Sequence, residues 1–175
     1  MKKIKMVSLS ALVVLGLVGC SESDVSTGGT ANSVEGKKEA SAPKKEDGKR
    51  IDATKHQMEA AGLKVGLGEI KITDEKIEVG INVENTSNQV LSFYPDQGQM
   101  VIGDMQLTSN FMMNDGTVDG EIQPGVKQDA VYVYPAPDGK TLDVKSIQEI
   151  KFFFGDVTTA DYMTTKPVNF TVGIE

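Results

Sequence analysis

Short segments in which apolar and polar residues alternate recur along the chain from Leu63 onward, and they predict β-strands. The clearest is Lys76–Val83, which reads KIEVGINV, with an apolar residue at every second position from Ile77. Because successive side chains of a strand point to opposite faces, this period of two indicates a strand with one buried face. A similar alternation begins at Leu63, and it changes phase at Gly68, where we predict a β-bulge.

Residues typical of turns separate these segments. Asn85–Asn88 closes one strand, and Pro124-Gly125 fits the centre of a type II turn. About eight short strands at such spacing, with no long helical pattern, favour two packed sheets. The fold class predicted for residues 63–175 is therefore all-β, an immunoglobulin-like two-sheet β-sandwich.

Two of the predicted strands are apolar on both faces. They are Val131–Tyr134, VYVY, and Phe152–Phe154, FFF. A sandwich strand buries one face against the core, so the second face needs another cover. We expect either a neighbouring segment of the chain or a bound partner to supply it.

The first nineteen residues have the pattern of an export signal. Lys2, Lys3 and Lys5 form a positive region, and the apolar run Met6–Val18 follows it. This run is shorter than the roughly 20 residues that a membrane-spanning helix needs, so residues 1–19 are predicted to be a signal peptide.

The signal peptide ends beside the only cysteine of the chain. Leu17-Val18-Gly19-Cys20 resembles the lipobox of bacterial lipoproteins. The resemblance implies that Cys20 carries a thioether-linked diacylglycerol and that cleavage occurs between Gly19 and Cys20. It also implies a lipid-anchored protein on the extracytoplasmic face of a bacterial cell membrane, because two acyl chains suffice for a stable anchor. No free thiol would then remain for a disulfide or a thiolate metal site.

Residues 20–62 are rich in Ser, Gly, Lys and Glu, with few large apolar side chains. Such a composition cannot bury enough surface to offset the entropy of ordering, so it predicts a disordered linker. A coil of about 40 residues has a root-mean-square span of roughly 35 Å. Within it, Asp52–Ala61 has a plausible N-cap and a following Gly62, which predicts a short helix.

The strand region resembles a known family. The segments Ile81–Pro95, Met100–Leu107, Gly120–Pro137 and Ile150–Asp156 are similar to the telokin-like immunoglobulin-fold domains of bacterial lipoproteins. That fold is shared with an immunoprotective extracellular antigen of mycobacteria. The resemblance rests on an "NTS" motif after one strand and a "PG" turn before another. It implies the fold, the lipid anchor and the location, and it implies no activity.

The charge and residue types of residues 63–175 exclude several functions. This region has eight lysines, no arginine and seventeen acidic residues, a net charge of −9, which disfavours nucleic-acid binding. The single histidine, His56, lies outside it, so histidine-based acid–base catalysis and histidine metal sites are not expected there. No spacing of carboxylates selects a catalytic pair. The protein is therefore predicted not to be an enzyme and to need no cofactor.

One acidic loop is a weak candidate for a calcium site. Asp115, Thr117, Asp119 and Glu121 partly repeat the oxygen-ligand spacing of an EF-hand loop. The Glu expected six residues after Gly120 is absent, and Asp-Gly pairs are common turn formers. An ordinary polar loop is the alternative.

The same loop begins with Phe111, Met112 and Met113, three adjacent apolar residues between asparagines. They cannot all point inward on a strand, so either another segment of the chain covers them or they form a surface for a ligand or partner. The function expected from the sequence is binding of a protein or cell-envelope ligand by the sandwich. The alternatives are a structural or proteinase-inhibitor-like module, and a weak Ca²⁺-binding domain.

Overall fold

The computed structural model describes residues 23–29, 48–118 and 120–174, and strands account for most of that part of the chain. A single 3₁₀ turn covers Pro95–Gln97 within these residues. The strands are β1 (Lys49–Asp52), β2 (Gln57–Ala60), β3 (Leu63–Ile72), β4 (Lys76–Asn85), β5 (Leu91–Phe93), β6 (Gln99–Ile102), β7 (Met105–Thr108), β8 (Asp115–Gly116), β9 (Gly120–Ile122), β10 (Lys127–Pro135), β11 (Glu149–Thr159) and β12 (Thr165–Gly173).

The strands form two six-stranded sheets. Sheet A has the order β1-β3-β4-β10-β8, and β2 pairs with β3 beyond the end of β1. Sheet B has the order β7-β6-β11-β5-β9, and β12 pairs with the other edge of β11. Every pairing is antiparallel. The all-β sandwich predicted from the alternating segments is confirmed.

The hydrophobic core lies between the sheets and draws on the alternating residues of both. Ile77, Val79 and Ile81 of β4 are fully buried, as the pattern of that strand predicts. From sheet B, the rings of Phe152 and Phe154 stack with their centroids 5.5 Å apart. Burial of such side chains contributes about 1.5–3 kcal/mol each and is the main stabilising term of the fold.

The bulge predicted at Gly68 is confirmed. The pairing of β3 with β4 shifts register between Leu67 and Ile70. The shift keeps apolar residues directed at the core on both sides of it, since Leu67 and Ile70 are both buried. The extra residue therefore accounts for the change of phase in the sequence.

The predictions for residues 48–62 are wrong, because this segment is neither linker nor helix. Asp52 does not cap a helix: its carboxylate accepts hydrogen bonds from the backbone N–H and hydroxyl of Thr54, which forms a turn between β1 and β2. β1 and β2 then pair with β3, and Ala60 is buried in the core. Pairing with an available strand edge overrides the weak helical preference of a short polar segment.

Residues 23–29 also lie against the domain, on the face of sheet A that points away from the core. Val25 is buried, although it is not part of the core cluster. The expectation of a disordered linker is therefore wrong for these seven residues. Gly19, Cys20 and the signal peptide lie outside the described residues.

The two segments that are apolar on both faces differ in how they are covered. Val131 and Val133 point away from the core and are nonetheless buried, so the chain itself covers this face of β10. Phe153, in contrast, points away from the core between two buried phenylalanines and remains 41% exposed. The expected cover is thus present in sheet A and incomplete in sheet B.

Candidate functional site

The segment between β7 and β9 leaves sheet B, pairs with sheet A through β8 and returns to sheet B, and a tight turn shapes its first part. The N–H of Asn110 donates to the carbonyl of Val133 at 2.8 Å, which attaches the loop to the edge of β10. The N–H of Met113 donates back to the carbonyl of Asn110 at 2.9 Å, and the N–H of Met112 donates to the Asn110 side chain at 3.1 Å. Asparagine commonly stabilises turns in this way.

A second asparagine closes the turn from the other side. The Oδ1 of Asn114 accepts a hydrogen bond from the N–H of Val133 at 2.9 Å, and its side chain also bonds the hydroxyl of Ser109. The turn between the two asparagines is therefore held at both ends by β10. This arrangement explains why the apolar residues between them face outward.

The structure places Phe111, Met112 and Met113 together on the surface. Their exposed fractions are 76%, 81% and 44%. Three neighbouring apolar side chains on an anchored turn are unusual for a surface that contacts only water. We call these three residues the apolar turn.

A cavity of about 280 Å³ opens beside the apolar turn, and we call it the loop cavity. It lies where the 109–118 loop meets the inner edge of β10 and the 3₁₀ turn after β5. Its lining residues are Asp96, Phe111, Asn114, Gly116, Thr117, Val118 and Tyr132. Phe111 therefore belongs both to the apolar turn and to the wall of the cavity.

Two buried polar groups near this cavity have no hydrogen-bond partner among the described residues. One is the Oδ1 of Asp96, and the other is the hydroxyl of Tyr134. Burial raises the pKa of Tyr134, and the negative charge of Asp96 raises it further, so the phenol stays protonated. An unpaired buried acceptor is costly, and most such groups in folded proteins do have partners. The neighbouring Tyr132 shows the ordinary case, since its hydroxyl donates to the carbonyl of Val118 at 2.6 Å.

This geometry suits binding of a ligand with two chemical features. The carboxylate of Asp96 offers a hydrogen-bond acceptor and a negative charge at the cavity wall. Phe111 and Met112 offer apolar surface at its mouth. A ligand that presents a hydrogen-bond donor beside an apolar group complements both, and small-molecule and peptide sites commonly combine these features.

The residues of the candidate calcium site are divided between the two sheets. Asp115 lies in β8 of sheet A and Glu121 in β9 of sheet B, and both are exposed. Thr117 lines the loop cavity, and Asp119 is outside the described residues. Among the residues that the structure describes, no group of three or more His, Cys, Asp or Glu side chains could hold a metal ion. The calcium site stays a prediction.

A larger cavity of about 460 Å³ lies at another edge of sheet B, near the β6–β7 hairpin. An ion pair between Glu149 and Lys151, 3.2 Å apart, lies at its rim. Neither of the unpaired buried groups described above lines it. We therefore take the loop cavity as the candidate site.

Sequence reasoning missed Asp96 and Tyr134. Asp96 stands in a PDQG turn, where an aspartate has an ordinary local explanation. Tyr134 ends the VYVY segment, and its pattern predicts burial without showing whether the hydroxyl finds a partner. Only the packing of the two sheets brings Asp96 beside Phe111 in the cavity wall and near the hydroxyl of Tyr134.

The predictions of a signal peptide and of a lipid anchor at Cys20 concern residues that the structure does not describe. In the described ranges, no helix is long and apolar enough to cross a bilayer.

No protein-family model matches the chain, and no curated protein matches it. Solved structures do match. A protein of unknown function from Listeria monocytogenes shares 9% identity with a TM-score of 0.53, over 73% of this chain and 86% of its own. A β-sandwich protein from Clostridium difficile shares 13% identity with a TM-score of 0.42, over 77% of this chain and 100% of its own.

A further match is ycdA of Bacillus subtilis, a candidate lipoprotein, with 13% identity and a TM-score of 0.45. It is matched over 71% of this chain and 39% of its own length. At such identities a likeness shows the fold alone, and the Listeria structure supports the β-sandwich. The narrower relation to telokin-like domains stays a prediction.

Proposed function

We propose that this protein is a lipid-anchored extracytoplasmic lipoprotein whose β-sandwich binds a protein or cell-envelope ligand at the loop cavity. The observation that carries the binding proposal is the position of the exposed apolar turn, Phe111–Met113, beside a cavity that Phe111 and Asp96 both line. A ligand that carries a hydrogen-bond donor beside an apolar group would complement the carboxylate of Asp96 and the ring of Phe111 together.

The energetic gain from such binding is concentrated in the apolar turn. Burying Phe111 and Met112 would each contribute about 1.5–3 kcal/mol, from the apolar area removed from water. Because the side chains of Asn110 and Asn114 already hold the turn by accepting hydrogen bonds from the N–H groups of Met112 and Val133, little entropy would be lost on binding. An anchored turn of this kind is typical of the small set of residues that dominate an interface.

The anchor is supported by the lipobox-like Leu17-Val18-Gly19-Cys20. Growth of the native host with a labelled fatty acid tests it directly. The full chain should incorporate the label and sediment with membranes. The Cys20→Ala variant should do neither. Label on the variant, or a soluble unlabelled wild type, would contradict the anchor.

The telokin-like relation remains part of the proposal. Its two motifs meet in the structure, because the N–H of Asn85 donates to the carbonyl of Val126 and the N–H of Gly125 donates to the carbonyl of Asn85. The "NTS" and "PG" motifs are therefore one hydrogen-bonded unit at the end of the sandwich. This contact supports a common structural role for the motifs.

The binding site is tested by capture from solubilised envelope with the immobilised full chain. A variant in which Phe111, Met112 and Met113 are replaced by Ser should lose the captured component. Met163→Ser is the matched control, because Met163 is 82% exposed on a different loop. Equal capture by both variants would place the binding surface elsewhere, and thermal melting of each variant establishes that it is folded.

A further inference from the structure

Residues Ser23–Gly29, which we call the strap, form hydrogen bonds with the outer face of sheet A. The carbonyl of Ser26 accepts a 2.7 Å hydrogen bond from the N–H of Glu69. The carbonyl of Thr27 accepts a 2.7 Å hydrogen bond from the side-chain amide of Asn82. The strap is therefore bound across β3 and β4.

Two glycines make room for the strap. A Cβ added to Gly80 would lie 2.1 Å from the carbonyl oxygen of Ser26, and one added to Gly68 would lie 2.2 Å from the same oxygen. Neither glycine has a positive φ, so the backbone conformation does not require glycine at these positions. The close approach of the strap does require it, since any side chain there would occupy the same space.

Charged groups hold the beginning of the strap. The carboxylate of Asp24 pairs with Lys71 at 3.1 Å and with Arg50, which also pairs with Glu69 at 2.9 Å. Burial alone would raise the pKa of Asp24, but the hydrogen bond and charge of Lys71, together with Arg50, outweigh it and lower the pKa. The next residue, Val25, is only 6% exposed.

The docked strap shortens the free chain between Cys20 and the folded domain. Ser23 is three residues after Cys20, so at about 3.3–3.6 Å per residue the docked strap begins within about 11 Å of the anchored sulfur. A free coil over residues 20–62 would instead span roughly 35 Å. Residues 30–47 connect the strap to β1, and they do not lie between the anchor and the strap.

We propose that the strap fixes the outer face of sheet A next to the membrane surface, so that the lipid bilayer is the partner of this face and the length of residues 30–47 does not set the distance between the domain and the bilayer. This proposal rests on the lipidation of Cys20 proposed above. Only Ser21 and Glu22 would then separate the lipid-bearing Cys20 from the docked strap, and the distance between the loop cavity and the bilayer would be limited accordingly.

The test is a pair of identical insertions in the lipidated full chain, reconstituted in phosphatidylcholine–phosphatidylglycerol vesicles. One chain carries a 30-residue Gly-Ser insertion between Glu22 and Ser23, and the other carries it between Ala40 and Ser41. A donor dye on an Asp138→Cys thiol reports energy transfer to an acceptor-labelled lipid. Asp138 is exposed, and the thiol is unique because Cys20 is alkylated.

We expect the insertion before the strap to reduce energy transfer and the insertion after it to leave the transfer unchanged. An equal reduction by both insertions would overturn the proposal, because a free coil responds to its total length. Gly80→Val should make the two insertions equivalent by blocking the strap. Gly173→Val is the matched control, since an added Cβ at Gly173, also in a strand, meets nothing within 4 Å.

The result separates this proposal from the lipidation on which it rests. If Cys20 is not lipidated, none of the chains remains on the vesicles and no transfer is observed. If Cys20 is lipidated and the strap is free, all chains remain on the vesicles and both insertions act alike. The two insertions can be compared in chains that keep Gly80, so the test does not depend on whether the Gly80→Val variant folds.

Discussion

The side-chain amide of Asn85 donates a 2.7 Å hydrogen bond to the carbonyl of Ile122, and this bond joins the two sheets at one end of the sandwich. Asn85 is the last residue of β4 in sheet A, and Ile122 is the last residue of β9 in sheet B. The same amide donates to the carbonyl of Gln89 at 2.9 Å, and the Asn85 Oδ1 accepts from the N–H and hydroxyl of Ser87. Because Asn85 is fully buried, water cannot replace these bonds.

Asn85→Ala should lower the free energy of unfolding by about 2–4 kcal/mol, since it removes the buried hydrogen bond to the Ile122 carbonyl together with the bonds to Gln89 and Ser87. Urea denaturation followed by circular dichroism measures the change. Asn88→Ala is the control, because Asn88 is exposed in the same turn, and it should change the free energy by at most about 0.5 kcal/mol. A similar small effect at Asn85 would show that the link between the sheets is not stabilising.

The sequence predicts the strands that combine alternation with flanking turn residues, such as β4 before Asn85–Asn88. It does not predict β1 and β2. Each has only four residues, and their stability comes from pairing with β3 rather than from a strong pattern of their own. Local sequence cannot show that β3 has a free edge.

For the candidate site, the sequence predicts the exposure of the apolar turn, because three adjacent apolar residues cannot share one face of a strand. It does not predict the role of Asp96, which depends on how the 3₁₀ turn packs beside β10. One feature of the sequence indicates the docking of the strap, namely the glycines at positions 68 and 80 within predicted strands. Glycine weakens a strand interior, so its presence there can indicate close approach of another backbone.

Tyr134→Phe should preserve stability or increase it by up to about 1 kcal/mol, because it removes a buried hydroxyl that has no partner among the described residues. Tyr132→Phe removes a hydroxyl that donates to Val118 at 2.6 Å, so it should cost about 1–2 kcal/mol. The two changes delete the same atom from neighbouring buried rings, and thermal melting compares them. A larger loss at Tyr134 than at Tyr132 would contradict the assignment of the unpaired group.

Phe152→Ala should destabilise the domain by about 3–5 kcal/mol, because the ring is fully buried and stacks on Phe154. The adjacent Phe153 points away from the core and is 41% exposed, so Phe153→Ala should cost much less. Urea denaturation of both variants measures the difference. Equal losses would mean that the outer face of β11 is covered in solution.

Mild peroxide treatment of the folded protein should oxidise Met112 much faster than Met100. Met112 is 81% exposed in the apolar turn, whereas Met100 is completely buried in β6. Because the sulfoxide is polar, the treatment should also weaken ligand capture by the apolar turn. Peptide mass spectrometry gives the two rates. The control for capture is a variant with Met112→Leu and Met113→Leu, in which peroxide still oxidises the exposed Met163 but should no longer weaken ligand capture. Comparable rates at Met100 and Met112 would contradict the placement of the turn.

Docking of the strap should weaken in acid. Asp24 has a folded-state pKa below its ordinary value of 3.8, so its contribution is present above pH 3.8 and is lost as the pH falls through the lower folded value. The protonated side chain no longer attracts Lys71 and Arg50. The side-chain amide of Asn82 donates to the strap, and its nuclear magnetic resonance signal should therefore shift between pH 4 and pH 2.

The carboxylates of Glu69, Glu78 and Asp129 also lie against the strap, so they must be separated from Asp24 in this measurement. Asp24→Asn should weaken docking at neutral pH and flatten the acid response of the Asn82 signal. Asp161→Asn is the control, because Asp161 also has a lowered pKa but accepts its hydrogen bonds from Thr159 and Met163 in the β11–β12 turn. An unchanged acid response in Asp24→Asn would show that Asp24 does not cause the transition. The ion pair with Lys71 would then add nothing to docking, and the hydrogen bonds to the strap and the space left by Gly68 and Gly80 would account for it.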